Sequence, residues 1–385
     1  MAKHLLELTN IFEPEYASSI MLTGSTSRGE LSWRPKNGSF EILSDYEFFI
    51  IGHHPPDEQK RILERIALWE SALPEAGPLF HVDISFVSPD ELPNLQPCWR
   101  HYEARETGHV LFGLDLRELF PTITLDNLDF YELNQILLWR NWQLVMHLPA
   151  QILTNADFDD PTYSFLLARN ALDLTTWALP HEGHMITGFA SRVAFIKENI
   201  DRLPLIKKLG NVFAQNIERW LDIKLGRDEP RGARAELPLV LDALDRARAA
   251  LNTIYRRKPT AKGYPKRALG DFSVRSVAKS LKLSKSHARK LGPRWIASAK
   301  LALFAEGLLE LLKAANDMIA GKDANSRLSS ATKIAKIIAP SARINDVTQA
   351  HERWIELRKA FLEFGLFYFP FLRQKANYWR DALDR

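Results

Sequence analysis

Apolar positions fall in short runs or alternate with polar ones through residues 1–115, then recur at helical spacing to the end of the chain. Residues 19–23 form an apolar run that meets Gly24-Ser25, which predicts a strand entering a turn. Residues 45–51 begin polar, become aromatic and β-branched, and stop at Gly52, which predicts a buried strand. Residues 79–87 alternate and residues 109–113 form a short run, giving two further strands. Residues 57–73, behind Pro55-Pro56, carry Glu, Lys, Arg, Leu and Ile at helical spacing, and Ser88-Pro89-Asp90-Glu91 reads as a helix start. After Phe120, segments 131–149, 161–178, 188–200, 204–225, 236–256, 273–285, 293–321, 328–338 and 345–366 predict helices. Pro180, Gly183, Gly210, Pro230, Gly263 and Pro340 separate many of them. A strand-and-helix region over 1–120 and an all-α region over 121–385 follow, with 227–234 and 258–267 as exposed loops.

Composition agrees with two globular domains: 385 residues, 46% hydrophobic and 25% charged. The lone Cys98 forms no internal disulfide, which fits a reducing cytoplasm rather than a secreted scaffold. Glu7 and Glu13 and the lack of a long apolar core argue against a signal peptide. No stretch approaches the roughly 18 apolar residues of a membrane span. The net charge of +4 conceals an asymmetry, because residues 256–300 hold fourteen Lys or Arg against one acid, Asp271. Lys279, Lys282, Lys285 and Arg289 there have the spacing to track a phosphate backbone. That block is either a surface for an anionic partner or one that compensates the acidic remainder.

Three pieces carry candidate chemistry, in this order: Gly24-Ser25-Thr26-Ser27-Arg28-Gly29-Glu30, Ser44-Asp45-Tyr46-Glu47 and His81-Val82-Asp83-Ile84. Asp45 and Glu47 stand two apart on a predicted strand and so share a face, about 6.6 Å apart along it. Like charges at that spacing repel unless a cation lies between them, and magnesium favours hard oxygen ligands. Asp83, flanked by Val82 and Ile84, supplies a third carboxylate, and three such groups can hold two metals about 3.5–4 Å apart. Gly24 lets the backbone approach a phosphate, the Ser25 hydroxyl and the turn's N–H groups can bind its oxygens, and Arg28 can add a charged donor.

The order and spacing of these pieces resemble the DNA polymerase β-type nucleotidyltransferase superfamily, and the minimal bacterial nucleotidyltransferases in particular. Pro89-Asp90-Glu91-Leu92 and Val110-Leu111-Phe112-Gly113 continue the likeness, which spans about residues 18–120. Two features depart from the family pattern. The spacer between Gly24-Ser25 and Asp45 is longer, with residues 32–41 reading as an inserted hairpin or loop. Glu47 stands where Asp is commoner. The resemblance implies an α+β protein: a small mixed sheet with helices on one side over 1–120, then a larger all-α domain over 121–385 that binds the acceptor. It implies transfer of a nucleoside monophosphate, AMP by default, from ATP or another NTP to a hydroxyl, with release of pyrophosphate. Asp45, Glu47 and Asp83 would be the catalytic acids and ligands of magnesium, or of manganese in its place. Asp83 would also take the acceptor's proton, and Gly24, Ser25 and Arg28 would bind the nucleotide's phosphates.

The acceptor stays open among small molecule, protein and nucleic acid. Two other classes compete: an antitoxin-like regulatory nucleotidyltransferase acting on a partner protein, and an RNA or DNA end-modifying enzyme that uses the basic block. Tyr163, Arg169, Asn170, Ser191 and Arg192 are further candidates to face the nucleotide, each weighed against a packed helix. His181-Glu182-Gly183-His184 and His53-His54 read as turn and loop rather than metal sites. Trp139, Trp142, Trp177, Trp220 and Trp295 read as core.

Overall fold

The structure is a computed structural model that describes residues 1–12, 16–36, 38–257, 293–339 and 347–368. Most of the basic block, including Lys279, Lys282, Lys285 and Arg289, and the helix expected at 273–285 lie outside the described residues. The fold is α+β, with a four-stranded mixed sheet near the N-terminus and a helical remainder.

In chain order the elements of the N-terminal region are α1 (Ala2–Ile11), β1 (Ala17–Thr23), the single turn α2 (Gly24–Ser27), β2 (Trp33–Lys36), β3 (Ser39–Ile42), β4 (Tyr46–Gly52), α3 (Pro56–Ala72), β5 (Val82–Val87), α4 (Trp99–Thr107) and β6 (His109–Gly113). Strand order is β5-β4-β1-β6, with β4 and β5 parallel and β1 antiparallel to both of its neighbours. The period-2 alternation of β1 and β4 splits their apolar residues between two faces. Ile20, Leu22, Tyr46, Phe48 and Ile50 pack with Leu8 of α1, Phe12 just beyond it, and Ile62 and Ile66 of α3. Met21, Phe49 and Ile51 pack with Val87, Leu92, Phe120 and Ala104 of α4. Helices therefore cover both faces, where the resemblance implied one side.

The insertion at 32–41 is a hairpin, β2–β3, in register Trp33↔Ile42 and Pro35↔Phe40. Buried Glu41 ties it together by pairing with Arg34 at 2.5 Å and with Lys36. The helix start at Ser88 does not develop into an α-helix. Ser88 N–H and Oγ bond the Glu91 carboxylate, and a short 3₁₀ turn, Leu92–Asn94, follows. Pro93, without an N–H, stands inside that turn.

The helical remainder comprises α5 (Phe130–His147), α6 (Pro161–His181), α7 (Phe189–Asn199), α8 (Pro204–Lys208), α9 (Asn211–Lys224), α10 (Ala233–Arg257), α11 (Pro293–Ile319), α12 (Asn325–Ile338) and α13 (Ala350–Tyr368). The segment 204–225 is two helices rather than one, because Gly210 adopts φ +99° between α8 and α9. Pro180 does not separate helices but lies within the last turn of α6. Among the described residues no helix is long and apolar enough to cross a membrane.

The chain forms two compact units, and they do not divide it at residue 120. The first unit gathers Met1–Leu133, Thr175–Pro204 and Ile217–Glu229, and the second gathers Asn134–Leu174, Leu205–Asn216 and Pro230–Arg385. Within the second unit, Gly307 of α11 lies so close to Phe361 of α13 that a Cβ there would stand 2.1 Å from the ring. Trp354 Nε1 donates to Leu311 O at 2.9 Å, and Arg140 pairs with Asp173 at 2.6 Å.

Candidate active site

The three sequence pieces meet at one end of the sheet, within the first unit. Thr23, the last residue of β1, pairs with Glu47 of β4 and donates its hydroxyl to Glu47 O at 3.3 Å. Glu47 pairs in turn with Asp83 of β5. Asp45 lies one residue before β4, in phase with Glu47, Phe49 and Ile51, and Asp83 is in phase with Val87. All three acids therefore belong to the α4 face of the sheet.

Gly24 turns the chain at φ +69°, and a Cβ there would fall 2.6 Å from Glu47 Oε1. Glycine is required twice over, for the left-handed backbone and for the approach of the carboxylate. The turn is folded onto the residues before β4. Ser25 Oγ lies 3.4 Å from Ser44 Oγ, which accepts from Ser32 N–H at 2.9 Å, and Thr26 Oγ1 donates to Asp45 O at 3.3 Å. Ser27 Oγ donates to Gly24 O at 2.9 Å, and Glu30 N–H donates to Ser25 O at 2.8 Å. Thr26 and Ser44 are thus structural members of the turn that sequence reasoning left unassigned.

Asp45 and Asp83 each have a basic side chain near them. His81 Nε2 is 3.6 Å from Asp45 Oδ2, and Arg100 Nη2 is 3.4 Å from Asp83 Oδ2. Arg100, in the first turn of α4, also lies over the Phe49 ring at 5.3 Å from its centroid. Burial pushes the Glu47 carboxyl up to about 7, with Asp45, Asp83 and Glu103 adding to the rise and Arg100 opposing it. Glu47 therefore feels the negative charge of both aspartates.

Arg28 was expected on the substrate's phosphates, but its guanidinium is buried against two carboxylates. Nε is 3.2 Å from Glu30 Oε2, and Nη1 is 3.3 Å from Glu103 Oε2. Burial disfavours its charge, yet Glu103, Glu30 and Glu47 outweigh that and hold the guanidinium above its ordinary value. The pair belongs to a larger buried cluster. Arg192 of α7 reaches the other oxygen of Glu103 at 3.1 Å and stacks on Phe189 at 4.6 Å. Lys224, at the end of α9, donates to Glu30 O at 2.8 Å and Ser32 Oγ at 3.0 Å. Glu30 Oε1 accepts from Ala190 N–H at 2.8 Å, capping α7, whose N-cap residue is the side-chain-free Gly188. Burial pushes the Glu30 carboxyl up, but the N–H groups of Ala190 and Phe189, with Arg28 and Lys224, hold it below the usual range.

Of the other sequence candidates, Arg192 joins this cluster and Ser191 is exposed. Tyr163 and Asn170 are fully buried within the second unit. His181 packs on Phe130 and Trp177, and Gly183 follows it in a turn at φ +92°. His54 is buried beside Phe86. Trp142, Trp177 and Trp220 are core residues, Trp139 is half-buried against Trp142, and Trp295 lies in α11. Glu30, His81, Arg100, Glu103 and Lys224 went unassigned in the sequence. Glu30 and His81 each stand two residues from a motif residue, which is a usable signal, whereas Lys224 has none.

Among the described residues no three His, Cys, Asp or Glu side chains are grouped closely enough to hold a metal ion as they stand. The donor chemistry nevertheless fits a hard divalent cation, because three oxygen-bearing acids converge and the charges of Asp45 and Asp83 raise the proton affinity of Glu47. The cage is not closed, since Asp45 and Asp83 are paired with His81 and Arg100. Comparison of the sequence with protein-family models and with curated proteins finds no match.

Proposed function

We propose that this chain is a metal-dependent nucleotidyltransferase of the DNA polymerase β-type superfamily. It moves a nucleoside monophosphate from a triphosphate to an acceptor hydroxyl, with ATP as the first donor to test. The observation that carries the reading is the convergence of Asp45, Glu47 and Asp83 beside Gly24, with Glu47 against the turn's glycine. A spread of solvated edge acids would not raise the Glu47 carboxyl to about 7. Asp45, Glu47 and Asp83 would hold magnesium or manganese, which would offset the charge of the phosphates and lower the pKa of the attacking hydroxyl.

The chain's own groups do the rest. The Gly24-Ser25 turn binds phosphate oxygens through its N–H groups and the Ser25 hydroxyl. Arg28 supports that turn from beneath, through Glu30 and Glu103, instead of reaching the substrate. The acceptor oxygen bonds to the α-phosphorus, the bond from that phosphorus to the bridging oxygen breaks, and pyrophosphate leaves. The hydroxyl proton passes to the Asp83 carboxylate.

The test offers radiolabelled nucleotide and magnesium to the full chain with protein, RNA and small-molecule acceptors. Asp45→Ala is expected to lower labelling by about 100-fold or more. Equal labelling by both proteins overturns the assignment.

A further inference from the structure

Arg100 is not among the residues that the nucleotidyltransferase motif singles out, yet it is paired with Asp83. Its Nη2 stands 3.4 Å from Asp83 Oδ2 without hydrogen-bond geometry. Its Nε and Nη2 are buried and make no hydrogen bond among the described residues. The guanidinium rests on the Phe49 ring. It is thus held in the site by packing and by the charge of the acids, not by a fork of bonds to a fixed partner. An ion pair without a hydrogen bond is a loose one, and a divalent cation competes for the same carboxylate with twice the charge.

We propose that Arg100 is a resident counterion of the acid cluster, occupying Asp83 in the metal-free protein and competing with the metal for it. The inference rests on the metal reading above. It makes Arg100 a residue that sets how tightly the site takes its cation. The buried, unbonded Nε–H and Nη2–H groups are the donors that metal binding would release toward an anion.

Manganese alone is the probe. The full chain is stripped of metal, and binding is followed by loss of the free-ion electron paramagnetic resonance signal, with no nucleotide and no turnover. Arg100→Gln is expected to bind manganese about fivefold more tightly than the wild type, the upper end of what a partly exposed ion pair withholds. Arg100→Lys keeps the charge and guards against misfolding, and it is expected to bind as the wild type does. In an Asp83→Asn background the Arg100→Gln effect should vanish, because the contested carboxylate is gone. Equal or weaker binding by Arg100→Gln, with normal binding by the wild type and Arg100→Lys, overturns the inference while leaving the metal reading standing. A wild type that takes up no manganese, or an Asp45→Asn variant that binds as well as it does, overturns the metal reading and the inference with it.

Discussion

At the scale of single residues, Glu47 and Gly24 work as one unit. Glu47 carries a carboxyl raised from an ordinary 4.5 to about 7 by burial and by its acidic neighbours. The folded protein therefore holds a proton that the unfolded chain releases, and folding is opposed increasingly as the pH climbs from about 4.5 through about 7. Glu47→Gln removes that penalty. Without metal, the variant should melt above the wild type at pH 8, and the two should converge near pH 4.5. Saturating magnesium should reverse the order at pH 8, because only the wild type gains full binding energy from the cation. A melting difference that does not change with pH would remove the charge argument. Gly24→Ala meets both a positive φ and a carboxylate oxygen 2.6 Å from the new Cβ. A loss of roughly 1–3 kcal/mol in urea unfolding is expected, together with loss of transfer activity. A variant of unchanged stability would mean that the turn relaxes freely.

At the scale of elements, the turn after β1 is held by helices far along the chain. Glu30 caps α7 through Ala190, and Glu103 of α4 joins Arg28 to Arg192 of α7. Removing one member of a buried ion cluster strands the others, so Arg28→Met should cost about 3–5 kcal/mol in denaturant unfolding. Glu30→Ala should speed amide exchange at Ala190 more than at the far end of α7, and uniform exchange along the helix would contradict the cap. This dependence also marks what the sequence could tell. The four strands of the sheet and α3 were legible because burial of apolar residues imposes their periods locally, whereas the mostly exposed residues 32–41 left hairpin and loop both open. The spacing of Asp45, Glu47 and Asp83 was legible for the same reason, since a strand's alternation decides the face. Helix α4 was not legible: its sequence, Trp-Arg-His-Tyr-Glu-Ala-Arg-Glu-Thr, hides its inner face behind charged residues. Those charges, Arg100 and Glu103, face the site because partners distant in sequence neutralise them, and no local pattern announces such partners. Arg28 was assigned to the phosphates for that reason, as neither Glu103 nor Arg192 could be placed beside it from spacing alone.

At the scale of the whole molecule, the composition of the first unit decides what can fold by itself. The change from strand-rich to helical sequence near residue 120 suggested a catalytic domain ending there. The first unit instead includes Thr175–Pro204 and Ile217–Glu229. Those segments carry Phe189, Ala190, Arg192 and Lys224, which satisfy Glu30 and Glu103. A chain ending at Leu133 keeps the sheet, both apolar clusters on its faces and all three acids. It loses the N–H groups and two of the three cations around two buried carboxylates, together with the buried apolar side chains of Phe189, Val193 and Ile196. Burying carboxylates without their partners costs several kcal/mol, comparable to the whole stability of a small domain. Residues 1–133 alone should therefore show no cooperative thermal transition and no dispersed amide spectrum, while the full chain shows both. A sharp transition and a native-like spectrum from 1–133 would mean that the sheet and its two faces outweigh the cluster. The helical segments would then be attachments to a self-sufficient catalytic fold instead of part of it.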